Sequence, residues 1–141
     1  MRYPALLTED DNGAIVIEFP DVPEAIATGA DREEALFRGV EVLTLALAEY
    51  VARRRPIPVP SPVQPEQVSV MLRPLVAAKL ALAAAMVSQG VTQVELARRL
   101  AIDGRQVRRL LDLRHGSRIE HLEAALAVFG KSIELTVRDA A

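Results

Sequence analysis

Through the first 30 positions the apolar residues come in short runs broken by turn formers; after that most of them fall on a helical period. RYPALLT (residues 2–8) and AIVIEF (14–19) read as strands and flank EDDNG. Asn12-Gly13 is a hairpin signal, because both residue types tolerate positive φ. After the turn-rich FPDVPE, AIATG (25–29) predicts a short third strand. Asp31 and Glu34 then stand at capping-box spacing. Leu36, Val40, Leu43, Leu47 and Tyr50 form the single apolar stripe of a helix laid on a sheet, running to about Ala52. QVSVMLR (67–73) supplies a last strand around residues 68–72, giving the order β-β-β-α-β.

Five of the nine prolines lie in RRRPIPVPSPVQPE, residues 53–66. Alternating prolines fix φ and remove donors, which predicts an extended, semi-rigid connector. It divides the chain into two modules, residues 1–72 and 74–141. Pro74 suits a first helical position and Gly90 a C-terminal stop. The run between them is rich in alanine, and small side chains permit close helix–helix approach. Thr92/Glu95, Asp103/Gln106 and Ser117/Glu120 each have the spacing of a capping box and open three more helices, the last ending before Gly130. In KSIELTVR (131–138), Ile133, Leu135 and Val137 alternate with polar residues, as in a half-buried strand. The expected fold class is α+β: a small antiparallel sheet plus helix, then an all-α part ending in a β-strand.

Composition narrows the chemistry. Half the chain is hydrophobic but only 4 % is aromatic, so the core rests on Leu, Val, Ile and Ala. The absence of cysteine excludes disulfides and thiolate metal sites and fits a reducing, cytoplasmic compartment. The N-terminus has no apolar run ending in a cleavage site, so no signal peptide is expected. The longest apolar stretch, residues 75–87, is interrupted by Lys79 and falls short of the ~20 residues that cross a bilayer; no membrane partner is expected. The net charge of −2 hides a polarity. Residues 1–50 hold three basic and eleven acidic residues, a balance of −8, whereas residues 73–141 hold eleven basic and seven acidic, a balance of +4. Opposite charges suggest opposite partners.

The stretch TQVELARRLAIDGRQVRRLLD (92–112) explains the basic half. In a helix-turn-helix the first helix braces the second, whose N-terminal side chains meet base edges in the major groove. Leu96, Ala97, Leu100, Ile102, Val107 and Leu110 fill the apolar positions that this packing needs, and the stretch looks like the phage-repressor (Cro-like) class. Two residues depart from that class. Ala101 stands where glycine is usual in the turn, at little cost if φ there stays permissible, and Gly104 stands where a polar base-reading residue is usual. The outward positions are Arg105, Gln106, Arg108 and Arg109. Arginine can pair bidentately with guanine and Gln with adenine. Thr92, Gln93, Arg98 and the loop RHGSR, with Arg114, His115, Ser117 and Arg118, are candidates for phosphate contacts. The alternative is a plain helical hairpin with a solvated arginine face, against which stand seven arginines and three acids in residues 92–118. His115 and His121 have no partner at metal-ligand spacing, so no metal or other cofactor is expected.

Taken with the first half, these features resemble a known family. The hairpin, the FPDVPEAIATG run (19–29), EEAL (33–36) and the proline-rich exit resemble HicB antitoxins. ELARRL, RLLDLRH and LEAAL resemble the HicB branch that carries a helix-turn-helix. The resemblance covers essentially all 141 residues. It implies a partial ribonuclease H-like fold for the N-terminal module. It also implies a protein that neutralises HicA, a small basic mRNA-cleaving toxin, and represses its own operon on double-stranded operator DNA. The acidic first half then has a reason, since it attracts a basic RNA-binding protein.

Two other readings compete. Glu9, Asp10, Asp11, Glu18, Asp21 and Glu24 could serve a metal-dependent nuclease, but two-metal chemistry needs carboxylates converging at ~4 Å metal separation, and Asp10 and Asp11 fall in a hairpin turn, Asp21 and Glu24 in a proline loop, with nothing to force convergence. A repressor whose first module senses a small molecule is the other; no glycine-rich phosphate loop or aromatic cage supports it. The expectation is a non-enzymatic protein. The strand at residues 131–138 has no partner among helices, which predicts at least a dimer with Ile133, Leu135 and Val137 at the join. Its rival is pairing with the N-terminal sheet of the same chain.

Overall fold

Successive strand residues point to opposite faces, so a strand buries its apolar face only beside others that do the same. In the computed structural model, which describes residues 1–140, three runs do this as β1 (Arg2–Glu9), β2 (Ile15–Glu18) and β3 (Ile26–Gly29). Helix α1 (Arg32–Ala52) follows, and β4 (Val68–Met71) returns to the sheet. The sheet is antiparallel throughout, in the order β3-β2-β1-β4. Its register, with Tyr3 opposite Val70 and Ile17 opposite Ala27, gathers Tyr3, Ala5, Ile17 and Val70 on one face. Leu43, Leu47 and Tyr50 of α1 close that face into a core. The chain is thus α+β, as its periodicity indicated.

Local chemistry differs from expectation in three places. The hairpin closes over a longer loop, with the Asp10 amide bonded to the Ala14 carbonyl at 2.9 Å. Gly13 alone takes positive φ there (81°) and Asn12 does not; the Asp10 carboxylate accepts from the amides of Asn12 and Ala14. Asp31 caps α1, but Glu34 does not return the bond and pairs with Arg38 at 2.7 Å. The proline segment is pinned to the sheet. Ser61 donates twice to Asp21, at 2.8 and 2.7 Å, and the Tyr3 hydroxyl donates to the Pro58 carbonyl at 2.6 Å. Burial, then the charge of Asp21, pushes the Tyr3 hydroxyl up to about 12, so it stays a neutral donor.

Four helices follow: α2 (Pro74–Gln89), α3 (Gln93–Leu100), α4 (Gly104–Leu111) and α5 (Ile119–Ala127). They enclose a second core that includes Leu82, Ala85, Leu96, Val107, Leu110 and Leu122. Helix α2 serves both cores. Its Val76 and Leu80 pack under the sheet, and its later turns pack among the helices. A cut between residues 72 and 74 therefore strips the first core of three of its buried side chains, Val76, Leu80 and the later Leu113.

No strand forms over residues 131–138; residues 131–140 have no regular secondary structure. A strand is held by its ladder, and this segment pairs with no other backbone in the single chain. Ile133 is half-buried against the helical core, while Leu135 and Val137 are 74 % and 86 % exposed.

Candidate nucleic-acid interface

Thr92 opens α3, its hydroxyl accepting from the Glu95 amide at 3.1 Å. Asp103 opens α4 in a reciprocal capping box with Gln106, at 2.8 and 3.1 Å. Between the helices the chain turns at Ala101, with φ 54° and ψ 44°. Leu96, Val107 and Leu110 are buried, and Ala97, Leu100 and Ile102 half-buried. All six expected packing residues therefore face inward.

The condition on which alanine in the turn costs little, a permissible φ, is not met. A left-handed backbone carries a penalty of ~1–2 kcal/mol for an L side chain. Ala101 is exposed, so its methyl packs nothing in return. Glycine removes the penalty but adds freedom to the unfolded chain, an offset of ~0.4–1 kcal/mol. Ala101→Gly is expected to stabilise the fold by about 0.5–1 kcal/mol. Chemical denaturation reads this directly, and a destabilised variant sinks the argument.

Arg105, Gln106, Arg108 and Arg109 are all exposed, opposite the buried Val107 and Leu110. The other candidates are spread over several places. Gln106, Arg109, His115, Ser117 and Arg118 line one cleft of about 350 Å³. Thr92 and Gln93 line another of about 280 Å³, together with Arg54 and Arg55 of the connector. Arg114 lines a third with Glu41, Thr44 and Arg73, against α1. Arg98 is held by Glu95, at 2.5 and 2.9 Å, and Arg99 shares the same carboxylate. These two arginines hold the Glu95 carboxyl down at about 2. A depressed carboxyl stabilises the fold above its unfolded value near 4.5 and loses that contribution as pH falls towards 2.

Ser117 departs furthest from expectation. It does not cap α5, whose N-cap is Arg118 with no side-chain bond. Its hydroxyl is held inside by Lys79, whose Nζ donates to it at 2.8 Å and to the Arg109 carbonyl at 2.6 Å. Burial lowers the Lys79 pKa, and the charge of Asp112 opposes that shift. Lys79 is fully buried. In the sequence it stood only as an interruption of an apolar run, yet a lone lysine inside such a run is the signal that marks it. Leu113, just after α4, was also missed: it inserts into the core under the sheet.

Three of the six carboxylates considered for metal chemistry are engaged in structure. Asp10 closes the hairpin and Asp21 holds Ser61, while Glu24 accepts from the Tyr50 hydroxyl at 3.1 Å. That bond, ahead of burial, raises the Tyr50 pKa. No group of three or more His, Cys, Asp or Glu side chains among the described residues could hold a metal. No single helix among them is long and apolar enough to cross a membrane.

A sheet-and-helix unit with a pinned proline segment, joined to a set of short helices that present arginines, makes an α+β protein with two packed cores. The chain belongs to the HicB-like antitoxin family: residues 2–81 match the family described as HicB-like antitoxin of bacterial toxin–antitoxin systems. Antitoxin HicB 1 of Photorhabdus laumondii is 35 % identical over 137 residues, covering 97 % of this chain and 87 % of that protein. Antitoxin HicB of Pseudomonas fluorescens is 38 % identical, covering 96 % and 94 %, and that of Escherichia coli K12 is 32 % identical, covering 97 % and 99 %. The similarity therefore runs past residue 81 through the arginine-bearing helices.

Proposed function

We propose that this chain neutralises a small basic HicA-type toxin through its acidic N-terminal module and represses its own operon by binding operator DNA through α3 and α4, as a helix-turn-helix. The division into a toxin-facing module and a DNA-binding module, acting in the cytoplasm, belongs to the same proposal. The observation that carries the DNA half is the face of α4: Val107 and Leu110 are buried, and Arg105, Gln106, Arg108 and Arg109 are exposed opposite them. Bases are read by these four, and phosphates are met by Thr92, Gln93, Arg98, Arg114, His115 and Arg118. Ser117 supports the loop from within. The balance of −8 over residues 1–50 supports the toxin half, since complementary charge speeds encounter and suppresses wrong partners. Two chains joined through Ile133, Leu135 and Val137 place their α4 helices on half-sites about 34 Å apart.

The test has two arms. The chain is co-expressed with a small basic HicA-type toxin, and co-purification with loss of toxicity is expected. Binding titrations on the duplex upstream of its own gene and on a random duplex form the second arm. Arg105→Ala is expected to lower the specificity ratio by a base contact's ~1–3 kcal/mol. Arg118→Ala is expected to weaken both duplexes alike and to reduce the salt slope by about one. If Arg105→Ala leaves the ratio untouched, α4 is not the reading helix.

A further inference from the structure

The Lys79 ammonium sits at an unusual point. It is fully buried, yet it reaches two parts of the DNA-facing surface from behind. The Arg109 carbonyl lies in the last turn of α4, at the negative end of the helix dipole, where its one backbone partner is the Asp112 amide at 3.3 Å. Ser117 lies in the loop that carries His115 and Arg118. Its hydroxyl also lies 3.3 Å from the Arg109 carbonyl and 3.2 Å from His115 Nδ1. A buried ammonium is expensive to keep, and an apolar side chain of the same volume is often neutral or stabilising in its place. Packing alone therefore gives no reason for a lysine here. What the charge does provide is two directed, charge-assisted bonds. The segment after α4 is then fixed at three points: Leu113 in the core under the sheet, Ser117 on Lys79, and Leu122 in the helical core.

We propose that Lys79, through Ser117, is a positioning residue for DNA recognition: it clamps the end of α4 to the loop 114–118, so that the arginines of α4 and the loop meet DNA as one rigid surface. This rests on the DNA-binding reading above. Neither residue reads a base. Loosening them blurs the alignment on which base contacts depend and leaves the charge of the outer surface unchanged.

The full-length protein is titrated with the duplex upstream of its own gene and with a random duplex of equal length. The variants are Lys79→Met, Ser117→Ala, Ser117→Thr and the double variant Lys79→Met/Ser117→Ala. Lys79→Met and Ser117→Ala are each expected to lower the specificity ratio by about tenfold, the scale of a good base contact. Random-duplex affinity and salt slope stay unchanged, and Lys79→Met melts no lower than the parent. Ser117→Thr, which keeps the hydroxyl, retains the ratio. The double variant is no worse than Lys79→Met, because Ser117 acts through Lys79. Should Lys79→Met fail to fold, the contrast between Ser117→Ala and Ser117→Thr decides alone. Equal losses on both duplexes, or additive losses in the double variant, make Ser117 a direct phosphate contact and overturn the clamp; so does an unchanged ratio. If the parent chain itself binds neither duplex, the DNA-binding reading falls and the clamp with it.

Discussion

Deletion of residues 132–141 is expected to turn a dimer into a monomer and to weaken operator binding by about a hundredfold or more, the scale on which two linked sites exceed one. Ile133 is only half-buried in the single chain, and Leu135 and Val137 are 74 % and 86 % exposed. Three apolar residues at strand spacing, held in no ladder, are what a second copy can pair with. A two-fold axis between two such tails also gives the palindromic arrangement that half-sites require. The competing arrangement lies close by. Residues 132–136 line a cleft of about 600 Å³ with Met1, Met71 and Leu72, next to the edge strand β4. Sedimentation velocity and operator titration of the truncated protein separate the two. A truncated protein that stays dimeric and binds operator as before leaves the tail with no part in assembly.

Gly29→Ala is expected to destabilise the N-terminal module by about 3 kcal/mol or more, the upper range for forcing extra volume into a packed site. The position ends β3 just before α1 begins. A Cβ there falls 2.3 Å from the Ala35 amide nitrogen and 2.8 Å from the Ala35 Cα. Both are backbone atoms inside the first turns of a helix and cannot swing aside. The module that carries the acidic surface then loses the junction between its edge strand and its helix, and toxin neutralisation is expected to fall with it. Gly116→Ala is the matched control, since a Cβ there meets nothing within 4 Å and φ is not positive. Urea denaturation of the two variants, read with a toxicity rescue assay, tests this. Equal stabilities for the pair contradict it.

Much of this protein is legible one segment at a time. The short strand-like runs became β1, β2, β3 and β4 with ends shifted by a residue or two, and the stripe from Leu36 to Tyr50 became the covering helix α1. The six apolar residues around Ala101 packed inward as their spacing demanded. Capping was legible by half. Asp31 and Thr92 accept from the third residue of their helices, but their carboxylate partners turned to nearby arginines. An exposed Glu can trade a backbone amide for a guanidinium, and residue spacing does not say which it takes.

The candidate site was legible as a set of residues and not as a surface. Arg105, Gln106, Arg108 and Arg109 follow from the helical period of α4, but Arg114 lies against α1 while Arg118 lies beside Arg109. Two loop arginines four residues apart separate because Leu113 drives one end of the loop under the sheet while Ser117 is drawn to Lys79. Nor could spacing show that Asp21 holds Ser61, forty residues away.

By itself the sequence determined the four strands and five helices, three of the four side-chain caps expected at their starts, and their buried stripes, because these depend on neighbours within one or two turns of chain. Tertiary structure alone decided that α2 serves both cores, that Lys79 is a buried clamp rather than a surface charge, and that residues 131–138 form no strand in one chain. Each of those outcomes depends on a partner far along the chain, or on the lack of one: a lysine is buried only where acceptors converge to meet it, and an alternating segment becomes a strand only where another backbone lies beside it.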